Sequence, residues 1–383
     1  MDLLTNALGL TQELVRVASL SPDTTDCQEI LIKRLEAVGF KVERIICEEV
    51  RNFWASVGEK GPLLCFSGHT DVVPTGPESS WKHPPFDATV DGEELYGRGT
   101  EDMKANIAAM VVAVENFIAA NGKPKNFRIG FLIAGDEEHD HAHGTEDVLS
   151  WIGDQNITID YGINGEPTSE KEVGDFIKIG RRGSMQGRIV VRGVQGHSAH
   201  PHRADNAIHK ALQPLADVAK IKFDDGDEFF ENTLIQVTNI RAGVGASNVI
   251  PGEVEARLNC RFTPHISAQE VKARVEAVFK DAAVKAEIEW LVTAEPFLTK
   301  PAFLSDLVCS ALKEELGAET TLTCAGGTSD ARYIAKFGAD IIELGLRNRT
   351  LHKVNESIFI DDLEQLTRAY RAILKRLAMS QAG

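Results

Sequence analysis

Strand–helix alternation, broken once and then resumed, constrains this chain more than any other feature. Leu63–Phe66 is a short apolar run bounded by Gly61-Pro62 and Gly68. Met103, Ile107, Met110, Val111, Val114 and Ile118 recur at helical spacing and predict a helix over Asp102–Ala120. Phe127–Ala134 reads as a strand with Phe127, Ile129, Phe131 and Ile133 on one face, and Ile157–Asn164 reads as another. Such alternation predicts an α/β layer on a largely parallel sheet.

Near residue 183 the pattern changes. Met185–Val191 has the look of a strand, and Asp205–Lys220 that of a helix with Asp205 as its N-cap. Strands are expected at Thr233–Arg241 and Glu253–Phe262, then a helix opened by the capping box Ser267-Ala268-Gln269-Glu270, then a strand at Lys285–Val292. The order strand-helix-strand-strand-helix-strand is the ferredoxin-like βαββαβ pattern, a complete small fold. From about residue 296 the earlier alternation returns. The expected organisation is an α/β domain of residues 1–182 and 296–383, interrupted by an inserted α+β domain at 183–295. A length of 383 residues suits two or three domains.

The formal net charge of -16 argues against nucleic acid or an anionic membrane surface as a partner, since both reward basic patches. Met1-Asp2-Leu3-Leu4 lacks a basic leader, and Leu3, Ala7, Leu8 and Val15 fit one face of an amphipathic helix. The most apolar stretch, Ile107–Ala120, is short for a membrane span and contains Glu115 and Asn116. The cysteines Cys27, Cys47, Cys65, Cys260, Cys309 and Cys324 form no CxxC pair, which fits free thiols in a reducing cytoplasm.

Acidic and histidine side chains collect where strands end. Ser67-Gly68-His69-Thr70-Asp71 follows the first strong strand, and Gly97-Arg98-Gly99-Thr100-Glu101-Asp102 leads into the Met103 helix. Asp136-Glu137-Glu138 and Gly165-Glu166-Pro167 end two further strands, and Leu351-His352-Lys353-Val354-Asn355-Glu356 follows the run Ile341-Ile342-Glu343-Leu344. Ligand sites in open α/β sheets lie outside the carboxyl ends of strands. Imidazole and carboxylate donors without thiolates suit zinc above all, with cobalt or manganese as alternatives. His69 and Asp71 lie two apart, so an extended segment puts both on one face and lets Asp71 accept the ring N–H of His69. Of two adjacent glutamates, one can ligate while the other acts as general base. His69, Asp102, Glu138, Glu166 and His352 suffice for two ions sharing a carboxylate. Plainer readings exist for each alone: a hydrogen-bonded surface pair, an N-cap, a solvated acidic turn. Their joint placement at strand ends is what sets them apart.

The motifs SGHTDVVPTG, LYGRGTEDMK, AGDEE, GEPTS, GRRGS, QGHSAHPH, GGTSDAR and LHKVNE, in this order along nearly the whole chain, resemble the di-zinc aminoacylase/carboxypeptidase family. The resemblance implies that Asp102 bridges two zinc ions, with His69 and Glu166 completing one shell and Glu138 and His352 the other. It implies that Asp71 orients His69, and that Glu137 is the general base. The inserted domain would be a dimerisation domain whose His197 reaches into the partner's active site to steady the oxyanion. Arg181, Ser184, Asn248, Arg261, Gly327 and Thr328 match positions that hold a small anionic N-acyl amino acid. GRRGS, GGTSD and HKVNE together point, within the family, to N-succinyl-LL-2,6-diaminopimelate as that substrate. Deacylation of another N-acyl amino acid such as acetylornithine, or metal binding without catalysis, is the alternative.

Three departures from the family pattern stand out. Glu101 adds a negative charge beside Asp102 where a small residue is usual. His200 and Ser247 replace a common Tyr and a common Asn. Beyond Glu138, His139, His141 and His143 form a cluster that reads as a polar, solvated loop rather than an auxiliary metal site.

Overall fold

The computed structural model describes residues 3–21, 24–139 and 143–381, and its chain divides into two compact units. One unit comprises Met1–Ile179, Thr299–Thr323 and Ser329–Gly383; the other comprises Gly180–Leu298 with Cys324–Thr328.

The first unit is built on an eight-stranded sheet. Its centre is four parallel strands in the order Arg128–Ala134, Leu63–His69, Tyr161–Asn164, Asp340–Glu343. Antiparallel pairs extend it on either side, through Val50–Val57 at one end and Phe176–Lys178 at the other. All seven residues of Leu63–His69 are buried, as expected of a strand covered on both faces. The strand after Phe127 is likewise buried on both faces, so its expected alternation does not divide core from solvent. Helix Ala105–Asn121 packs against the C-terminal helix Ile360–Ser380 and the N-terminal helix Leu3–Val15. With the turn before it, this is the one segment among the described residues long and apolar enough to cross a membrane, and most of it is buried in the protein. Phe66 lies between Phe131 and Tyr370, with ring centroids 5.5 and 5.6 Å away.

Two local expectations are corrected. The helix predicted from Asp102 starts at Ala105, because Thr100–Lys104 forms an irregular turn in which Asp102 and Met103 have non-helical backbone angles and a cis peptide joins them. The helix predicted from Asp205 spans Ala207–Val218, and its cap is Asn206, whose Oδ1 accepts the N–H groups of Ile208 at 3.0 Å and His209 at 3.4 Å. Asp205 instead pairs with Lys210 at 2.6 Å.

The second unit carries a four-stranded antiparallel sheet in the order Leu234–Ala242, Glu253–Phe262, Gly183–Arg192, Ala286–Ala294. With helices Ala207–Val218 and Ala268–Asp281 this is the βαββαβ arrangement read from the sequence. Met185, Ile189, Leu215, Leu258, Val271 and Phe279 belong to its core. Ser267 caps the second helix by accepting the N–H of Glu270 at 3.1 Å, worth about 1 kcal/mol. The Glu270 carboxylate pairs with Arg274.

Candidate metal centre

The carboxyl ends of the parallel strands bring the ligand candidates of the first unit together. His69 ends its strand, Glu137 and Glu138 follow Ala134, and Glu166 follows Asn164 with one glycine between. Met103 fills the space among these tips and accepts the N–H of His69 on its sulfur at 3.4 Å. A Cβ on Gly68 or Gly165 would collide with the Met103 methyl, so the glycines preceding His69 and Glu166 permit the close approach.

Asp102 stands at the centre of the group. Its Oδ1 lies 3.1 Å from His69 Nε2, and its Oδ2 lies 3.3 Å from His352 Nε2. Glu166 Oε1 is 3.7 Å from His69 Nε2, and Glu138 Oε1 is 2.9 Å from His352 Nε2. Two trios result, His69–Asp102–Glu166 and Asp102–Glu138–His352, and each can converge three donor atoms on one ion. Glu137 completes a third grouping with His69 and Glu138. Four carboxylates thus face two imidazoles, an excess of negative charge that two divalent cations would balance. The borderline nitrogen and hard oxygen donors match zinc chemistry.

Asp71 is fully buried and differs in detail from its expected role. His69 Nδ1 lies closest to the Asp71 backbone carbonyl, at 3.0 Å, and 3.5 Å from the carboxylate. That carboxylate also accepts the N–H groups of Glu137 at 3.2 Å and Glu138 at 2.9 Å.

Burial opposes a charge on His69, yet hydrogen bonds to Asp102 and Asp71, with their charges, outweigh it and hold the ring well above its usual value. Hydrogen bonds to Asp102 and Glu138 raise His352 to about 10. Burial pushes the Glu137 carboxyl up; His69 counters this, while Asp330, Glu166 and Glu138 add to it. A carboxylate so raised is a better proton acceptor.

Asp330 escaped the sequence reading. Its Oδ2 accepts the Thr145 hydroxyl at 2.7 Å, and its charge reaches Glu137. The Ser-Asp pair in GGTSD was the available signal. Glu356 was also overlooked as an individual residue: buried, it accepts from Arg98 at 2.7 Å and from the N–H of Gly99, Glu101 and Asp102 at 3.0, 2.8 and 3.1 Å. Glu101 is buried and turned toward backbone, its carboxylate accepting the N–H groups of Arg349, Thr350 and Leu351.

In the histidine cluster, His139 is exposed, His143 lies 3.3 Å from Asp147, and His141 lies outside the described residues.

The remaining candidates belong to the second unit. Arg181 is buried and donates to the Gly327 carbonyl at 3.1 Å. Its neighbour Arg182 pairs with Glu231 at 3.4 Å. Buried Ser184 sits opposite Arg261 in the strand pair Gly183–Arg192 and Glu253–Phe262. Gly327 and Thr328 are exposed. Asn248 is exposed and accepts the N–H of Ser198 at 2.9 Å. His197 is exposed on the short pairing of Gly196–His197 with Val249–Ile250. Its Nδ1 accepts the N–H of Ala199 at 3.0 Å, which leaves the proton on Nε2 as a donor. The His200 ring lies 5.8 Å from it at a tilt of 50°, and Ser247 is exposed.

Comparison with known proteins agrees across the chain. The profile of Peptidase family M20/M25/M40 matches residues 65–376. A succinyl-diaminopimelate desuccinylase of Hahella chejuensis is 45% identical over 98% of both chains, and one of Alkalilimnicola ehrlichii is 43% identical over 98% of this chain and all of the other. Among solved structures, aminopeptidase PepT from Bacillus cereus superposes with a TM-score of 0.79 at 20% identity, covering 98% of this chain and 99% of its own. The Bacillus subtilis YXEP protein, described as a dinuclear metal binding peptidase, superposes with a TM-score of 0.73 at 18% identity, covering 98% of each chain. At such identities the structural likeness speaks for the fold.

Proposed function

Because the chain belongs to peptidase family M20/M25/M40, we propose that it is a metal-dependent amidohydrolase releasing succinate and LL-2,6-diaminopimelate from N-succinyl-LL-2,6-diaminopimelate, a step of lysine biosynthesis. The observation that carries this reading is Asp102, whose two oxygens face two different imidazoles, each beside a further carboxylate. The names of relatives at 43–45% identity support the choice of substrate.

His69, Asp102 and Glu166 would hold one divalent ion, and Asp102, Glu138 and His352 a second, zinc by donor type and cobalt as a working substitute. When bound, such ions supply Lewis acidity to the amide carbonyl and bring the pKa of a water down to roughly 7. Glu137 takes the proton from the attacking water and delivers it to the leaving nitrogen as the C–N bond breaks. Asp71 keeps Glu137 and Glu138 in place through their backbone N–H groups. His197, acting across a homodimer, donates its Nε2 proton to the oxyanion of the tetrahedral species. Arg181 and Arg261 meet the succinyl carboxylate, a match of planar guanidinium to anion, while Ser184, Asn248, Gly327 and Thr328 position the rest of the substrate. Six free cysteines support a reducing, cytoplasmic setting.

The test is a hydrolysis panel on metal-reconstituted protein. N-succinyl-diaminopimelate should be cleaved with a higher kcat/KM than N-acetylornithine. A preference for the acetyl substrate would overturn the substrate, and stoichiometric zinc without hydrolysis of any N-acyl amino acid would overturn the activity.

A further inference from the structure

We propose that Glu101 and Glu356 are positioning residues that tie the segment bearing Asp102 to the segment bearing His352 by exchanging carboxylates. The inference rests on the two-ion reading of the site.

Glu101 belongs to the Asp102 segment, and both of its oxygens are engaged by the other one. Oε1 accepts the N–H of Arg349 at 2.8 Å and of Leu351 at 3.0 Å. Oε2 accepts the N–H of Thr350 at 2.7 Å and its hydroxyl at 2.6 Å. Glu356 belongs to the His352 segment and reaches the opposite way. Its Oε1 accepts the N–H of Glu101 at 2.8 Å and of Asp102 at 3.1 Å, while Oε2 accepts from Gly99 at 3.0 Å and Arg98 at 2.7 Å. Both side chains are buried, where a carboxylate bonded to several N–H groups holds its partners far more firmly than in water. The segments are irregular: Thr100–Lys104 departs from helical angles, and His352 and Asn355 have positive φ. The ladder that pairs Glu94–Tyr96 with Ser357–Phe359 ends beside them, at the Gly97 N–H to Glu356 carbonyl bond, and beyond it the crossed carboxylates bridge the irregular stretches.

The extra negative charge beside Asp102 is therefore committed to the backbone donors of Arg349–Leu351 and to the Thr350 hydroxyl. Glu101 acts as a brace, and its loss has an uneven effect. It holds Arg349–Leu351, hence His352, which belongs to only one of the two trios. Glu356 holds the backbone of Asp102 itself, which belongs to both.

Stepwise binding of Zn(II) and Co(II) to metal-free full-length protein, by calorimetry and by Co(II) visible absorption, tests this directly. Wild-type protein should take up two ions. Glu101→Gln should weaken one ion by about 10–100-fold and leave the other within about threefold, the size expected for a group that orients a ligand. Glu356→Gln should weaken both. Thr350→Val should reproduce the selective loss and Thr350→Ser, which keeps the hydroxyl, should restore it, so this pair decides even if a Glu101 or Glu356 variant does not fold. Equal weakening of both ions in Glu101→Gln and Thr350→Val, or no change in either, would overturn the brace while leaving the ligand set standing. Wild-type protein that binds no second ion would overturn the ligand set itself.

Discussion

Asp71 grips the backbone of Glu138: its Oδ2 accepts that residue's N–H at 2.9 Å, while Oδ1 accepts the N–H of Glu137. One buried carboxylate thereby touches the His69 ring and orders both glutamates after the neighbouring strand. Asp71→Asn replaces an acceptor with an N–H group facing N–H donors. Its kcat should fall about 10–100-fold with KM little changed. Steady-state kinetics at saturating zinc checks this, and a wild-type kcat would refute the bracing role.

Glu137→Gln keeps the shape but removes the proton acceptor. Because Glu137 lies outside both trios centred on Asp102, two ions should remain bound while kcat drops roughly 10²–10⁴-fold. Metal analysis of the same sample separates the two effects. Full activity with both ions present would end its assignment as base.

Metal loading should release protons. Without ions, His352 is held at about 10 and is charged at pH 7.5, and the hydrogen bonds of His69 to Asp102 and Asp71 shift it toward its charged form. Ligation requires them neutral. Calorimetry in buffers of different ionisation enthalpy should show proton release on uptake of each ion. The same shift sets a stability trend: the His352 contribution is complete below the ordinary histidine value of 6.5 and is lost as pH rises toward about 10. The melting temperature of metal-free protein should fall across that window more steeply than that of loaded protein, and parallel curves would contradict the pairing.

Arg181→Lys keeps a charge but loses the planar fork. KM for the succinyl substrate should rise about 10–100-fold, the weight of a charge-assisted hydrogen bond, while an N-acetyl substrate changes far less. Because Arg181 also holds the Gly327 carbonyl, the N-acetyl substrate is the control for a displaced loop. Equal losses on both substrates would remove Arg181 from acyl recognition.

The strand framework was legible because burial on both faces of a parallel sheet demands continuous apolar runs, as in Leu63–Phe66 and Ile341–Ile342. The gathering of His69, Glu138 and Glu166 follows from strands that pair in parallel and end together. Helix starts were less legible. Apolar spacing continues through Met103, whose side chain packs among strand tips, so periodicity could not mark the turn that delays the helix to Ala105. Asp205 and Asn206 are both good caps by type, and only the hydrogen bonds distinguish them. Glu101 was least legible of all. Three of its four donors are backbone N–H groups nearly 250 positions away, and backbone donors carry no side-chain signature.

The division of the trios along the chain gives the centre a direction in time. His69, Asp102 and Glu166 all precede the inserted unit, whereas His352 follows it. During synthesis on the ribosome, His69, Asp102, Glu138 and Glu166 leave the exit tunnel before the inserted unit, and His352 only after it. The backbone that Glu101 holds arrives with the latter. A ribosome stalled before residue 349 would therefore present one ion's ligands and an unanswered brace, and translation of residues 349–352 is the event that completes the pair.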